Sequence, residues 1–114
     1  MSQCLFCKII NKEIKSDIVY EDDDLLVFKD INPQAPVHLL IIPKKHISSL
    51  NEIDPVDIEI LGKLNLIVKK LSSDFRIEKS GYRVVVNTNS DAGQAVFHIH
   101  WHLLGGRKMT WPPG

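Results

Sequence analysis

The most constraining feature of the sequence is a strict alternation of histidines with apolar residues near the C-terminus, FHIHWHLL at residues 97–104. Successive side chains of a β-strand point to opposite faces of the sheet, and each residue advances by ~3.3 Å. The alternation therefore predicts a strand over residues 97–104, with the three imidazoles on one face. The other face, which we expect to be buried beneath a helix, would carry Phe97, Ile99, Trp101 and Leu103.

The rest of the chain predicts a small α+β domain. Apolar residues at helical spacing predict a long helix over residues 54–74, beginning with Asp54 as an N-cap before a proline. The apolar segment at 5–11 predicts a short N-terminal helix, and the total of about five strands is completed by apolar or β-branched runs at 18–21, 25–29, 37–42 and 82–88. Because most links between strands are short, we expect an antiparallel meander with the long helix packed on one face.

Composition narrows the function. A chain of 114 residues with 44% hydrophobic and 25% charged residues fits a single domain over 1–114. Fourteen basic and fourteen acidic residues cancel and form no basic stripe, which argues against a nucleic-acid partner. No apolar run approaches the ~20 residues that span a bilayer, and the N-terminus lacks the pattern of a secretory signal. We therefore expect a cytoplasmic protein without a membrane partner.

The three alternating histidines point to chemistry of two kinds. Three imidazoles on one face could bind a catalytic zinc ion. Alternatively, one imidazole could act as a nucleophile while its neighbours fix its tautomer and move protons. The alternation itself is compatible with both.

Other segments make the chain recognisable. They are DINPQAP at 30–36, IPKKHI at 42–47, GYR at 81–83, GQ at 93–94, and the tail with GGR at 105–107 and WPPG at 111–114. Together with HIHWHLL they resemble the histidine-triad superfamily, whose signature is His-x-His-x-His-x-x with x hydrophobic. The resemblance is to its Hint branch of purine nucleoside phosphoramidases, and it extends in order over nearly the whole chain.

The resemblance implies a histidine-triad-like fold that forms a homodimer, and a hydrolase acting on purine nucleoside 5′-phosphoramidates or aminoacyl-adenylates. The match to the nucleophile is His100, which would attack the α-phosphorus, form a nucleotidyl-histidine and release AMP or GMP after hydrolysis. His102 and His38 would donate to phosphate oxygens or pass a proton to the leaving amine. His98 completes the catalytic set, and the mechanism requires no cofactor.

The same resemblance implies a nucleotide site. Asp30 would accept hydrogen bonds from the ribose hydroxyls, and Trp111, in a tail (105–114) at the dimer interface, would border the partner's leaving-group pocket. Ala95 stands where eukaryotic members carry serine, which removes one hydroxyl from the phosphate site. The remaining matching positions are Phe6, Ile9, Phe28 and Ile31 around the base, and Asn87, Gly93 and Gln94 near the phosphate.

The two cysteines are separated by two residues, and they match a structural zinc site of bacterial members. In that site Cys4 and Cys7 would be joined by His46 and by His98, which would then leave the catalytic set. The alternative is a pair of small buried thiols at the start of a short helix.

Three other functions remain open at this stage. One is a dinucleoside polyphosphate hydrolase or a nucleotidyl transferase of another branch, against which the short chain and the WPPG tail argue. Another is a nucleotide-binding regulatory dimer, which Ala95 leaves open. The last is a zinc hydrolase using His98, His100 and His102.

Overall fold

The computed structural model describes residues 3–114, so the first two residues of the domain predicted over 1–114 lie outside it. Its regular elements, in chain order, are α1 (Leu5–Ile10), β1 (Ile18–Glu21), β2 (Leu25–Lys29), β3 (Val37–Pro43), α2 (Ile58–Asp74), β4 (Tyr82–Val85) and β5 (Trp101–Gly105). The predicted α+β class, with a five-stranded antiparallel sheet, one long helix and a short N-terminal helix, is confirmed. Within the described residues, no helix has the length and apolarity needed to cross a membrane.

The order of the strands in the sheet is β1-β2-β3-β5-β4. The first three strands form the expected meander, but the expectation is wrong at its end, because β5 inserts between β3 and β4. The half-exposed strand β4 can serve as an edge, whereas the apolar side chains of β5 require an interior position. The pairing of β3 with β5 places Leu40 opposite His102 and His38 opposite Leu104, which brings two distant histidines together.

Each face of the sheet has its own apolar layer. Period-two alternation sends Leu39 and Ile41 of β3 toward α2, and Leu40 and Ile42 toward α1. The layer under α2 also receives Ile99, Trp101 and Leu103, as the alternation predicted. Because β2 and β3 are covered on both faces, they are almost continuously apolar.

The alternation predicts too long a last strand. Residues 96–98 form a bend, and β5 begins only at Trp101. Phe97, expected to be buried, is consequently 50% exposed. All three imidazoles nevertheless lie on the α1 side of the sheet. The strand predicted over 82–88 likewise ends early, at Val85.

The long helix begins where Asp54 and the following proline predicted, with a 3₁₀ turn over Pro55–Asp57 ahead of α2. The buried Asp57 carboxylate accepts a hydrogen bond from the backbone N–H of Asp54 at 3.0 Å and contacts the Lys45 ammonium at 2.6 Å. Lys45, helped by that N–H, holds the pKa of Asp57 below its ordinary value. The contact attaches the segment after β3 to the start of α2.

A close packing contact at the end of β5 tests the fold. A Cβ added to Gly105 would lie 2.6 Å from Cδ1 of Ile77, a side chain that is 3% exposed. We expect Gly105→Ala to lower the free energy of unfolding by about 1–3 kcal/mol in chemical denaturation. Combined with Ile77→Val, it should cost less than the sum of the two single changes. Strictly additive losses would contradict this packing.

Candidate functional site

The α1 side of the sheet contains a cleft of about 290 Å³ between α1, β2 and the histidine segment, residues 98–102. Eight of the twelve residues predicted to bind a nucleotide line it: Phe6, Ile9, Phe28, Asp30, Ile31, Ala95, His100 and His102. Ile31 is 97% exposed, so its side chain is available to a ligand and is not part of the core. The cleft thus combines apolar walls with one carboxylate, two imidazoles and two lysine side chains, Lys15 and Lys29.

The other four predicted nucleotide residues do not line this cleft. Trp111 is 83% exposed in the tail, and Asn87 is partly buried beyond β4. Gly93 has a φ of 80°, in the left-handed region that favours glycine. The side chain of Gln94 is buried, and its amide donates to the carbonyls of Ser48 and Val96 at 2.7 and 3.1 Å.

His100 has a fixed tautomer. Its Nδ1 lies 2.7 Å from the backbone carbonyl oxygen of His98. Because a carbonyl only accepts, the proton is assigned to Nδ1, and Nε2 keeps its lone pair. Burial lowers the pKa of His100 below its usual value. His100 is therefore a neutral imidazole with a free nitrogen, the form in which histidine is a nucleophile.

His102 has the opposite tautomer. The N–H of Gln34 donates to Nδ1 of His38 at 3.0 Å, so the His38 proton is on Nε2. That Nε2 lies 2.9 Å from Nδ1 of His102, which accepts, and His102 keeps its proton on Nε2. Burial, reinforced by the neighbouring imidazoles, lowers the pKa of His102 to about 4. With ring centroids 5.0 Å apart, His100 offers a lone pair and His102 a donor.

Asp30, His38 and His102 place three potential metal-ligand atoms within 4.8 Å of one another. Nε2 of His38 is 3.4 Å from Oδ2 of Asp30. The Gln34 N–H nevertheless donates to the lone pair on Nδ1 of His38, so the His38 proton is on Nε2, the nitrogen that would have to bind a metal. This cluster fits a hydrogen-bond relay better than a metal site.

A second cluster brings together the predicted ligands Cys4, Cys7, His46 and His98. Nδ1 of His98 lies 3.4 and 3.6 Å from the two sulfurs, Nδ1 of His46 lies 3.4 Å from the Cys7 sulfur, and the two nitrogens are 3.2 Å apart. An ion with tetrahedral coordination and bonds of ~2.0–2.1 Å to nitrogen and ~2.3 Å to sulfur requires about 3.3 Å between two nitrogens and about 3.6 Å between a nitrogen and a sulfur. These nitrogen–nitrogen and nitrogen–sulfur separations therefore match a tetrahedral metal centre, and all four atoms lie within 4.8 Å of one another.

The surroundings of His98 favour metal binding. Its Nε2 lies 2.7 Å from the carbonyl oxygen of Pro43, which assigns the proton to Nε2 and leaves the lone pair of Nδ1 facing the thiols. Burial lowers the pKa of His98 to about 4, so the ring is neutral. Because His98 faces the cysteines while Nδ1 of His100 bonds a carbonyl, the three histidines do not converge as a three-histidine zinc site would require.

Backbone groups complete the site, and no sequence pattern indicates them. The carbonyls of Pro43 and His98 and the N–H of Gln34 fix three imidazoles. The segment around His46 is also held, since the carbonyl of Ile47 accepts from the N–H of Ile99 at 2.6 Å. Only the resulting geometry reveals these contacts.

Nitrogen NMR of the imidazole side chains tests the tautomers. At pH 7 we expect His100 to carry its proton on Nδ1, and His38 and His102 to carry theirs on Nε2. His102 should gain a second proton only near pH 4, well below the ordinary value of 6.5, because burial disfavours its charge. A charged His102 at pH 6, or the same tautomer in His100 and His102, would contradict the assignment.

Comparison with known proteins agrees with this geometry. Residues 11–109 match the model of the HIT domain. A HIT family hydrolase from Legionella pneumophila superposes with a TM-score of 0.96 and is 54% identical, over 98% of this chain and 100% of that one. A histidine triad nucleotide-binding protein from Candida albicans superposes with a TM-score of 0.83 and is 35% identical, over 96% of this chain and 83% of that one.

A relative from maize named "14 kDa zinc-binding protein" is 51% identical, over 99% of this chain and 89% of its own. These matches confirm the family indicated by the sequence motifs and are consistent with its Hint branch. By domain, by sequence and by structure, the chain belongs to the histidine-triad (HIT) family and has the fold of that family's hydrolases.

Proposed function

We propose that the protein hydrolyses the P–N bond of purine nucleoside 5′-phosphoramidates and releases AMP or GMP. It would also cleave the acyl-phosphate P–O bond of related aminoacyl-adenylates. The observation that carries the proposal is the pair of opposite tautomers in the cleft. A neutral nitrogen lone pair on His100 lies beside an N–H donor on His102. Those are the two groups that a displacement at phosphorus needs.

In the first step, Nε2 of His100 attacks the α-phosphorus and forms a P–N bond while the bond to the leaving amine breaks. The departing nitrogen takes the Nε2 proton of His102 and leaves as a neutral amine, and the negative charge left on the His102 ring is balanced by the positive charge that His100 gains in the same step. His100 becomes cationic in the intermediate, and the carbonyl of His98 stabilises its Nδ1–H. Water then attacks the phosphorus, gives its proton to His102, and returns His100 to its neutral form.

Asp30 supports recognition of a ribonucleoside. Its carboxylate lines the cleft, where it can accept hydrogen bonds from the two vicinal hydroxyls, while Phe6, Ile9, Phe28 and Ile31 supply apolar contacts for a base. The Candida albicans relative is named as a nucleotide-binding protein. Adenine and guanine would both fit such walls.

Replacing the nucleophile tests the proposed reaction. With a fluorogenic adenosine phosphoramidate, we expect His100→Ala to lower kcat/KM at least ~10³-fold, because no other group can form the covalent intermediate. His102→Ala should lower kcat by ~10²–10⁴-fold through loss of the acid. The melting temperature of each variant shows whether the fold is retained.

Substrate comparison separates the alternatives. Wild type should prefer the phosphoramidate over diadenosine polyphosphates, and a reversed preference would indicate another branch of the family. Tight AMP binding without turnover would favour the regulatory dimer. Ala95 lines the cleft without a hydroxyl, so Ala95→Ser would then be the first substitution to test for restored turnover.

We also propose that Cys4, Cys7, His46 and His98 hold a structural zinc ion, while catalysis itself uses no cofactor. The tetrahedral spacing of their four atoms supports this, as does the name of the maize relative. Such an ion would fix α1 against the histidine segment, and imidazole nitrogens and cysteine sulfurs are ligands that zinc prefers.

Metal analysis tests the zinc site. The purified protein should contain about one zinc ion per chain, and Cys7→Ser should weaken zinc binding by more than ~10-fold in competition with a chromophoric chelator. Removal of the ion should lower the melting temperature. Metal-free protein with an unchanged melting temperature in the presence of added zinc would contradict the site.

We further propose that the protein acts in the cytoplasm as a homodimer. Ile58 and Leu66 on α2 are two-thirds exposed, and Tyr82 and Val84 on the edge strand β4 are more than one-third exposed. A second copy would cover these apolar side chains, with the tail 105–114 and Trp111 at the interface. Analytical ultracentrifugation should give a mass of two chains.

A further inference from the structure

We propose that Arg107 is a positioning residue that fixes the proton of His102 from outside the cleft. The inference rests on the proposed function for its catalytic consequence, but its structural part stands on contacts in this chain. Nε of Arg107 donates to the carbonyl oxygen of Gln34 at 2.8 Å. The backbone N–H of Gln34 donates to Nδ1 of His38, and Nε2 of His38 in turn donates to Nδ1 of His102.

Arg107 ties the loop over residues 30–36 to a distant element, whereas the other hydrogen bonds described for the loop stay within residues 30–38. It contains no helix or strand, and Pro33 and Pro36 lack an N–H that could hold the backbone. The side chain of Gln34 bonds only locally, to the carbonyl of Asn32 at 3.0 Å. Arg107 reaches the loop from the end of β5, so it ties the loop to the central part of the sheet.

The approach of the two segments is built into the backbone. Gly106 has a φ of 90°, and a Cβ at this position would lie 2.9 Å from Cβ of Pro36. A glycine therefore permits the close contact that brings Arg107 against Gln34. The guanidinium is oriented further by a bond from Nη1 to the carbonyl of Lys108 at 3.0 Å.

The relay determines what His102 presents to the substrate. Without the Gln34 N–H, only the Asp30 carboxylate, 3.4 Å from Nε2 of His38, still favours the proton on Nε2. Part of the His38 population can then move its proton to Nδ1, and its Nε2 becomes an acceptor. His102 would have to donate from Nδ1 and would lose the proton on Nε2. The cleft would then hold two lone pairs, on His100 and His102, and no acid for the leaving amine.

Arg83 provides a matched control. Its Nη2 donates to the carbonyl of Thr110 at 2.9 Å, so it is also an arginine that holds a backbone carbonyl of the C-terminal region. It makes no contact with the 30–36 loop among those described. A general loosening of the tail would affect both variants, whereas the relay requires Arg107 alone.

The test compares Arg107→Ala, Arg107→Lys and Arg83→Ala. We expect Arg107→Ala to lower kcat for the phosphoramidate by ~10–100-fold with a smaller change in KM, as for a misplaced catalytic group. Nitrogen NMR should show part of the His102 population protonated on Nδ1. In Arg107→Lys the lysine can still donate to the carbonyl of Gln34, so kcat should return to within a few fold of wild type. The kcat of Arg83→Ala should stay within about twofold of wild type.

The outcomes separate this inference from the proposed function. Wild-type tautomers in Arg107→Ala, or equal losses in Arg107→Ala and Arg83→Ala, would overturn the inference and leave the proposed function intact. If wild type lacks turnover, the proposed function fails, and the NMR comparison of the same variants still decides whether Arg107 fixes His102.

Discussion

The hydrogen bond from Nδ1 of His100 to the carbonyl oxygen of His98 determines much of what this site can do. It holds His100 in the tautomer that the proposed nucleophile requires, because the other ring nitrogen keeps its lone pair free. It also joins the two clusters, because the residue that offers the carbonyl places its own ring among Cys4, Cys7 and His46. A metal bound there would hold the backbone group on which the nucleophile depends.

The sheet makes this arrangement possible. The pairing of β5 with β3 puts His38 beside His102 across 64 residues of sequence, and the apolar layer under α2 keeps β5 in register. The opposite face can carry imidazoles because the short helix α1 covers part of it and leaves the cleft open. Burial on that face lowers the pKa values of His38, His98, His100 and His102, which keeps all four rings neutral and their hydrogen-bond roles fixed.

Much of this follows from local sequence patterns, and the exceptions have physical reasons. Alternation correctly assigned Ile99, Trp101 and Leu103 to the core, but it cannot detect the bend at 96–98 that exposes Phe97. The position of β5 between β3 and β4 depends on which strand tolerates an edge, a property of the assembled sheet. The four ligands of the metal cluster were predicted from the family resemblance, because no periodicity in the sequence links Cys4 to His98. The tautomers depend on backbone carbonyl and N–H groups that nearly every residue has, so only the folded structure reveals them.

The proposed reaction depends on a covalent bond between His100 and phosphorus. The stereochemical course at the α-phosphorus tests it directly, using a phosphoramidate made chiral by sulfur substitution and hydrolysed in ¹⁸O-labelled water. Each in-line displacement inverts the phosphorus, so two successive displacements give overall retention of configuration. We expect retention, whereas inversion would show that water attacks the substrate directly and that His100 is not the nucleophile.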